Sequence, residues 1–353
     1  MKDWIANNKT SAIVIAGLIG VIAVLSLRNP AGQEFEDDEV SSDEITVVDD
    51  STDKNLAMFH TEIDSEVRPF NAPVTLHLAE LCHAVYSNPE TTTPKLFFDL
   101  KFDSVRPIGE GINKAVVAIK GDTAIVVFRG TDEIRDWLTN FDIRNVRLEH
   151  GDVHSGFWNA YQELRKKVVD ELEIAGPKHI WVTGHSLGGA MALSCAYDIE
   201  ETTDFRVKGL VTFGQPKLGN AKFVEHIDTN FLGRYFAFSN DNDPVVDMVP
   251  LCASCGSAVW FDNSKIKRSP KKRISTGATF GSSGVGSDDE FIRKVMSIED
   301  FEAMRENILG VDQANRPRNR PMAVGSSLPI IRDHDMTNYI DKLRDHFGKP
   351  PLN

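Results

Sequence analysis

The chain has 353 residues, 41% hydrophobic and 26% charged, a globular composition long enough to bury one large core. A formal net charge of -13 excludes nucleic acid as a general partner, because phosphate backbones are held by basic surface. Four cysteines are too few for a disulfide framework, and Cys252-Ala-Ser-Cys255 has no second CxxC or histidine pair beside it. No metal or cofactor is expected, and the pair is read as a short disulfide or two free thiols.

From the N-terminus, Thr10 to Leu27 is apolar and uncharged. A membrane-spanning helix needs about 17–25 such residues, so residues 10–27 read as a single-pass anchor within a segment 1–28. Its end, Leu25-Ser26-Leu27-Arg28, lacks the small-x-small pattern of a cleaved signal peptide. Lys2 and Lys9 precede it and only Arg28 closely follows, so the positive-inside rule leans toward an exported folded domain. Residues 29–54 carry a run of acidic side chains and read as a solvated, disordered linker.

Residues 55–353 form one domain on this reading. Ala72–Tyr86 has helical apolar spacing, and Ala115–Ile119 and Ala124–Phe128 are β-branched runs joined at Lys120-Gly121-Asp122. Phe157–Leu172 is an amphipathic helix ended by Ala175-Gly176-Pro177. Ile180–Thr183 is a buried strand and Gly188–Ile199 a small-residue helix. Val207–Phe213 and Tyr235–Phe238 are further strands, with a helix near 220–230 between them. Strands alternating with helices predict a mainly parallel α/β sheet covered on both faces. Residues 263–328 break the rhythm and read as an insertion. It is basic at first (Lys265, Lys267, Arg268), then Gly/Ser-rich, with a helical piece near 288–307. A basic start of this kind suits a solvated loop, or contact with anionic headgroups.

Gly184-His185-Ser186-Leu187-Gly188 is a G-x-S-x-G run directly after an apolar strand and directly before a helix. The turn is sharp enough that side chains at Gly184 and Gly188 would collide with backbone. It raises the Ser186 hydroxyl above the sheet edge, facing the N–H groups of the following helix. Such a hydroxyl attacks only if a base takes its proton and a third group orients the base. In this chain order the acid and then the histidine come after the serine. Among His226, His334 and His346, only His334 sits in a loop before a helix, so His334 is the base. Asp241, Asp243 and Asp247 compete for the acid past the strand ending at Phe238. Pro244 holds Asp243 extended, which selects Asp243. The Leu187 amide supplies one oxyanion donor. The loop Phe128-Arg129-Gly130-Thr131 offers a second at Thr131.

Several segments together resemble the class 3 lipases, the fungal triacylglycerol lipases and their relatives in the α/β-hydrolase superfamily. They are Val127–Thr131, Val153-His154-Ser155-Gly156-Phe157, Gly184–Ala190, Phe213–Asn220 and Asp243-Pro244-Val245, with His334 and then Tyr339 last. The resemblance implies an α/β-hydrolase fold and Ser186, Asp243 and His334 as a triad. It also implies Thr131 with Leu187 as the oxyanion hole, and hydrolysis of lipid esters through an acyl-enzyme without metal. The family's lid falls on Asp132–Asn145 here, with Ile134, Trp137, Leu138 and Phe141 as its apolar residues, and the same stretch reads equally as a surface helix packed by Trp137. The long insertion and the membrane anchor depart from the family pattern. The same acyl-enzyme could serve transfer to an alcohol or lipid acceptor. A membrane-tethered, inactive interaction protein is the reading from another class, disfavoured because every catalytic position is intact.

Overall fold

In the computed structural model of the chain, the residues described are 72–86, 97, 100–131, 143–240, 243–262, 265–268, 297–303, 305–306 and 333–352. The chain divides into two units, Met1–Val48 and Asp49–Asn353, and all described residues lie in the second. The expected anchor at 10–27 and the acidic stretch 29–54 lie outside the described residues. Among the described residues, no helix is long and apolar enough to cross a membrane.

The strand β3 (Thr123–Phe128) shows why the sheet occupies the centre, since all six of its residues are buried. Ala124, Val126 and Phe128 join one hydrophobic core, and Ile125 and Val127 join the other. Successive strand side chains point to opposite faces, so a continuous apolar run is stable only where both faces are covered.

Among the described residues, eight strands form the sheet in the order β1 (Ser104–Ile108), β2 (Ala115–Lys120), β3, β6 (His179–His185), β7 (Val207–Phe213), β8 (Tyr235–Asn240), β9 (Ser257–Asp262) and β10 (Lys265–Arg268). From β3 to β9 every pairing is parallel, while β1–β2, β2–β3 and β9–β10 are antiparallel. A separate hairpin pairs β4 (Asn145–Leu148) with β5 (Gly151–His154).

On one face lie α2 (Ser155–Ala175), α3 (Leu187–Thr202) and α4 (Ala221–Asn230). On the other lie α1 (Ala72–Ala84) and α5 (Met336–His346). The expected stop signal at Gly176 acts as the physics requires. Gly176 takes the left-handed conformation, and its N–H closes α2 on the Leu172 carbonyl at 2.8 Å. Asn220 caps α4 by accepting from the Phe223 N–H at 3.1 Å. Tyr161 and Arg165 of α2 both bond Asp198 of α3, at 2.7 and 2.8 Å, which fixes the helix that begins at the serine.

The sheet extends further than the sequence pattern announces. β9 and β10 form a hairpin beyond β8, so residues 265–268, expected to open the insertion, are an edge strand. Among the described residues this is the last strand of the sheet, and its charged sequence lacks the apolar run that marks a strand covered on both faces. Residues 297–303 and 305–306, helical from 298, fall within the expected helical piece, and apart from these and 265–268 the residues of 263–328 lie outside the described ones. Cys252 and Cys255 are free, buried thiols, and burial pushes Cys252 up to about 12.

Candidate active site

The last residue of β6 and the first of α3 enclose Ser186, whose φ of 57° and ψ of -129° are outside the comfortable regions for a side-chain-bearing residue. Such a conformation costs about 1–3 kcal/mol and persists only where the surroundings enforce it. Here the Ser186 N–H bonds the Phe213 carbonyl at 3.0 Å, and its own carbonyl accepts from Gly189 at 2.9 Å. The glycines are needed for approach. A Cβ on Gly184 would stand 2.1 Å from the Gly188 carbonyl oxygen, and one on Gly188 would stand 2.3 Å from that of Phe128. Both contacts are with backbone, which cannot swing away.

His334, in the loop before α5, directs Nδ1 at Asp243, 2.8 Å from Oδ2 and 3.0 Å from Oδ1. Asp243 lies just past β8, extended (φ -72°, ψ 107°) before the 3-10 turn Pro244–Asp247. Its Oδ1 accepts the Val245 N–H at 2.9 Å. Its Oδ2 accepts the Tyr339 hydroxyl at 2.5 Å, and that hydroxyl in turn accepts the Asn240 N–H at 3.0 Å. Both members of the pair are buried. With Nδ1 committed to the carboxylate, Nε2 is buried and has no hydrogen-bond partner among the described residues. A buried polar atom left open in this way calls for a partner, and a proton taken during catalysis is one that the carboxylate behind the ring would stabilise.

The serine and the pair are neighbours through residue 185. The His185 and His334 rings have centroids 4.7 Å apart, and His185 Nε2 lies 2.7 Å from the His334 carbonyl oxygen. A carbonyl only accepts, so Nε2 carries the proton, and Nδ1 accepts from the Tyr86 hydroxyl at 2.7 Å. Burial, then the neighbouring His334, holds His185 well below the usual imidazole range, so the ring is neutral. Gly214 closes the floor, since a Cβ there would lie 2.9 Å from both Asp243 Oδ2 and His334 Nδ1.

Leu187 opens α3, where the first N–H groups have no intrahelical acceptor. Gly130, one residue before Thr131, packs so closely that a Cβ would stand 3.2 Å from that of Ser186. Ser186, Leu187 and the Gly130-Thr131 turn are thus gathered at the carboxyl end of the parallel strands. The lid candidates Ile134, Trp137, Leu138 and Phe141 lie outside the described residues, as does Asp241. The competing residues sit elsewhere. Asp247 pairs with Lys217 at 3.4 Å, His226 with Glu201 at 2.9 Å, and His346 ends α5 beside Phe347. Tyr86 escaped the sequence reading as a site residue, and Gly214 stood there only within the family-like segment Phe213–Asn220. Tyr86 sits in the last turn after α1 without any motif, and only its reach across 99 residues reveals it.

A mostly parallel sheet, a strained serine at a strand–helix turn and a carboxylate–imidazole pair beside it define the α/β-hydrolase architecture. The model of the family Lipase (class 3) matches residues 125–253. That segment is similar to the class 3 lipase family. A lipase of Rhizomucor miehei is 33% identical over 167 residues, 42% of this chain and 46% of that protein. A secreted mono- and diacylglycerol lipase of Fusarium solani is 33% identical over 168 residues, 43% of this chain and 49% of that one. The chain spans about half the length of these relatives. The solved structure of Rhizomucor miehei triacylglyceride lipase is 24% identical with a TM-score of 0.46, covering 55% of this chain and 82% of that chain.

Proposed function

We propose that the chain is a serine-dependent carboxylic ester hydrolase acting on acylglycerol or phospholipid esters. Ser186 attacks the ester carbonyl while His334 Nε2 takes its proton. Asp243 holds Nδ1–H and stabilises the imidazolium that forms. The Thr131 and Leu187 N–H groups receive the oxyanion. The imidazolium returns its proton to the departing alcohol, and water activated by His334 then releases the fatty acid from the acyl-enzyme. The observation that carries this reading is the orphaned, buried Nε2 of a carboxylate-fixed histidine beside a strained serine. The lipase names of the relatives support a lipid ester as substrate. Purified Ser186→Ala is expected to release no p-nitrophenol from medium-chain esters and to resist a fluorophosphonate probe that labels the wild type. Esterase activity retained by this variant would refute the mechanism.

Residues 10–27 are proposed to hold the enzyme at a bilayer, with 29–54 as an acidic spacer and the catalytic domain exported. The support is the uncharged apolar run and the lysines before it. Alkaline extraction should leave the full chain in the membrane fraction. Release of the full chain into the soluble fraction would exclude the anchor.

A further inference from the structure

We propose that His150, Glu201 and His226 form a binding site for a divalent transition-metal ion of the zinc class, separate from the catalytic group. The three residues come from three elements: the β4–β5 turn, the last turn of α3, and α4. Their ligand atoms all lie within 4.8 Å of one another. Glu201 already receives both imidazoles, His150 Nε2 at 3.1 Å on Oε2 and His226 Nε2 at 2.9 Å on Oε1. The two rings are stacked, with centroids 3.7 Å apart and planes 7° from parallel.

Two neutral imidazoles and one carboxylate are a ligand set that zinc accepts. Bonds of about 2.0–2.1 Å to a tetrahedral ion separate its ligand atoms by about 3.3 Å, close to the nitrogen–oxygen distances already present. The stacked rings must pivot about their Cβ–Cγ bonds, because an imidazole offers its lone pair in the ring plane. The partly exposed side chains leave room for that motion and for a water as fourth ligand.

Surrounding contacts fix the site from outside. Asn230, one turn beyond His226 on α4, places its side-chain amide nitrogen 3.1 Å from His226 Nδ1 and 3.0 Å from Nε2; with the amide turned over, its oxygen accepts the outer N–H of a metal-bound ring. The Tyr197 hydroxyl bonds the His150 backbone. Lys222 donates to the Glu149 carbonyl at 2.9 Å, and Asn220 bonds Asp152 on β5 at 3.2 Å. The turn and α4 are therefore held together before any ion arrives. Glu201 ends a helix that starts at Ser186, and at about 1.5 Å per residue the two lie about 20 Å apart. An ion here joins three elements and takes no part in the ester chemistry.

The test uses the full chain in detergent, purified without a polyhistidine tag, in equilibrium dialysis against zinc with excess magnesium. Nitrogen ligands favour zinc over magnesium. One zinc per wild-type chain is expected, raising the melting temperature. The His150→Gln/His226→Gln double variant should bind more than about 100-fold more weakly, since loss of outer partners alone costs about 10–100-fold. The single variant His226→Gln, checked for folding by circular dichroism, serves if the double variant does not fold. No zinc retained by the wild type, or equal retention by a folded variant, overturns the site and leaves a hydrogen-bonded cluster only. Neither result bears on Ser186.

Discussion

Replacing Tyr339 with phenylalanine removes one oxygen from a ring that is fully buried against Phe213, Phe261 and His185. The ring keeps its packing, so the effect isolates the hydroxyl. That hydroxyl donates to Asp243 Oδ2 and accepts from the Asn240 N–H. A hydrogen bond to a charged group contributes about 1.5–3 kcal/mol, and the stranded Asn240 N–H adds about 1–3 kcal/mol of cost. The variant should therefore lose roughly 3 kcal/mol or more of stability, read as a lower urea midpoint. The first figure also bounds the effect on chemistry, because the hydroxyl acts only through the carboxylate it holds. It corresponds to a fall in kcat of about 10–100-fold with KM within about twofold. Asp243→Asn should lose about 10,000-fold, since it removes the acid itself. Steady-state hydrolysis of a soluble ester at saturating substrate measures both. A Tyr339→Phe enzyme with wild-type kcat would show that Asp243 is held without the hydroxyl, and the positioning argument would fail.

Two further outcomes follow from packing and burial. Asp228 accepts the Gly256 N–H at 2.6 Å, yet burial raises its carboxyl from 3.8 to about 6. Between those values the folded chain keeps a proton that the unfolded chain has lost, so this group's contribution to stability falls as pH rises through that window. The full loss is as much as about 3 kcal/mol. Asp228→Asn should remove that slope, and parallel urea-stability curves for variant and wild type from pH 4 to pH 8 would refute it. Gly188→Ala places a methyl 2.3 Å from the Phe128 carbonyl oxygen, so it should yield no folded protein that a fluorophosphonate labels. A soluble, labelled variant would show that β3 can yield there.

The candidate group Ser186, Asp243 and His334 could be picked out in the sequence because each member carries a local signature. Ser186 lies between glycines whose absent side chains are required by backbone contacts at 2.1 and 2.3 Å. Asp243 is followed by a proline that holds it extended, and His334 stands in a loop before a capped helix. The parallel strands β3, β6, β7 and β8 were legible too, since strands covered on both faces are unbroken apolar runs. The edges were not. β1, β4, β5, β9 and β10 carry mixed polarity, and pairing rather than composition makes them strands.

What the amino-acid order determined by itself is the chemistry available, because the serine turn, the proline after the acid and the helix caps are local constraints acting over a few residues. Tertiary structure alone decided which distant groups meet. Tyr86 reaches His185, Tyr339 reaches Asp243, and Glu201 joins His150 to His226. Those contacts depend on helix packing across the sheet and on burial that forces each polar atom to find a partner, and no short stretch of sequence encodes either.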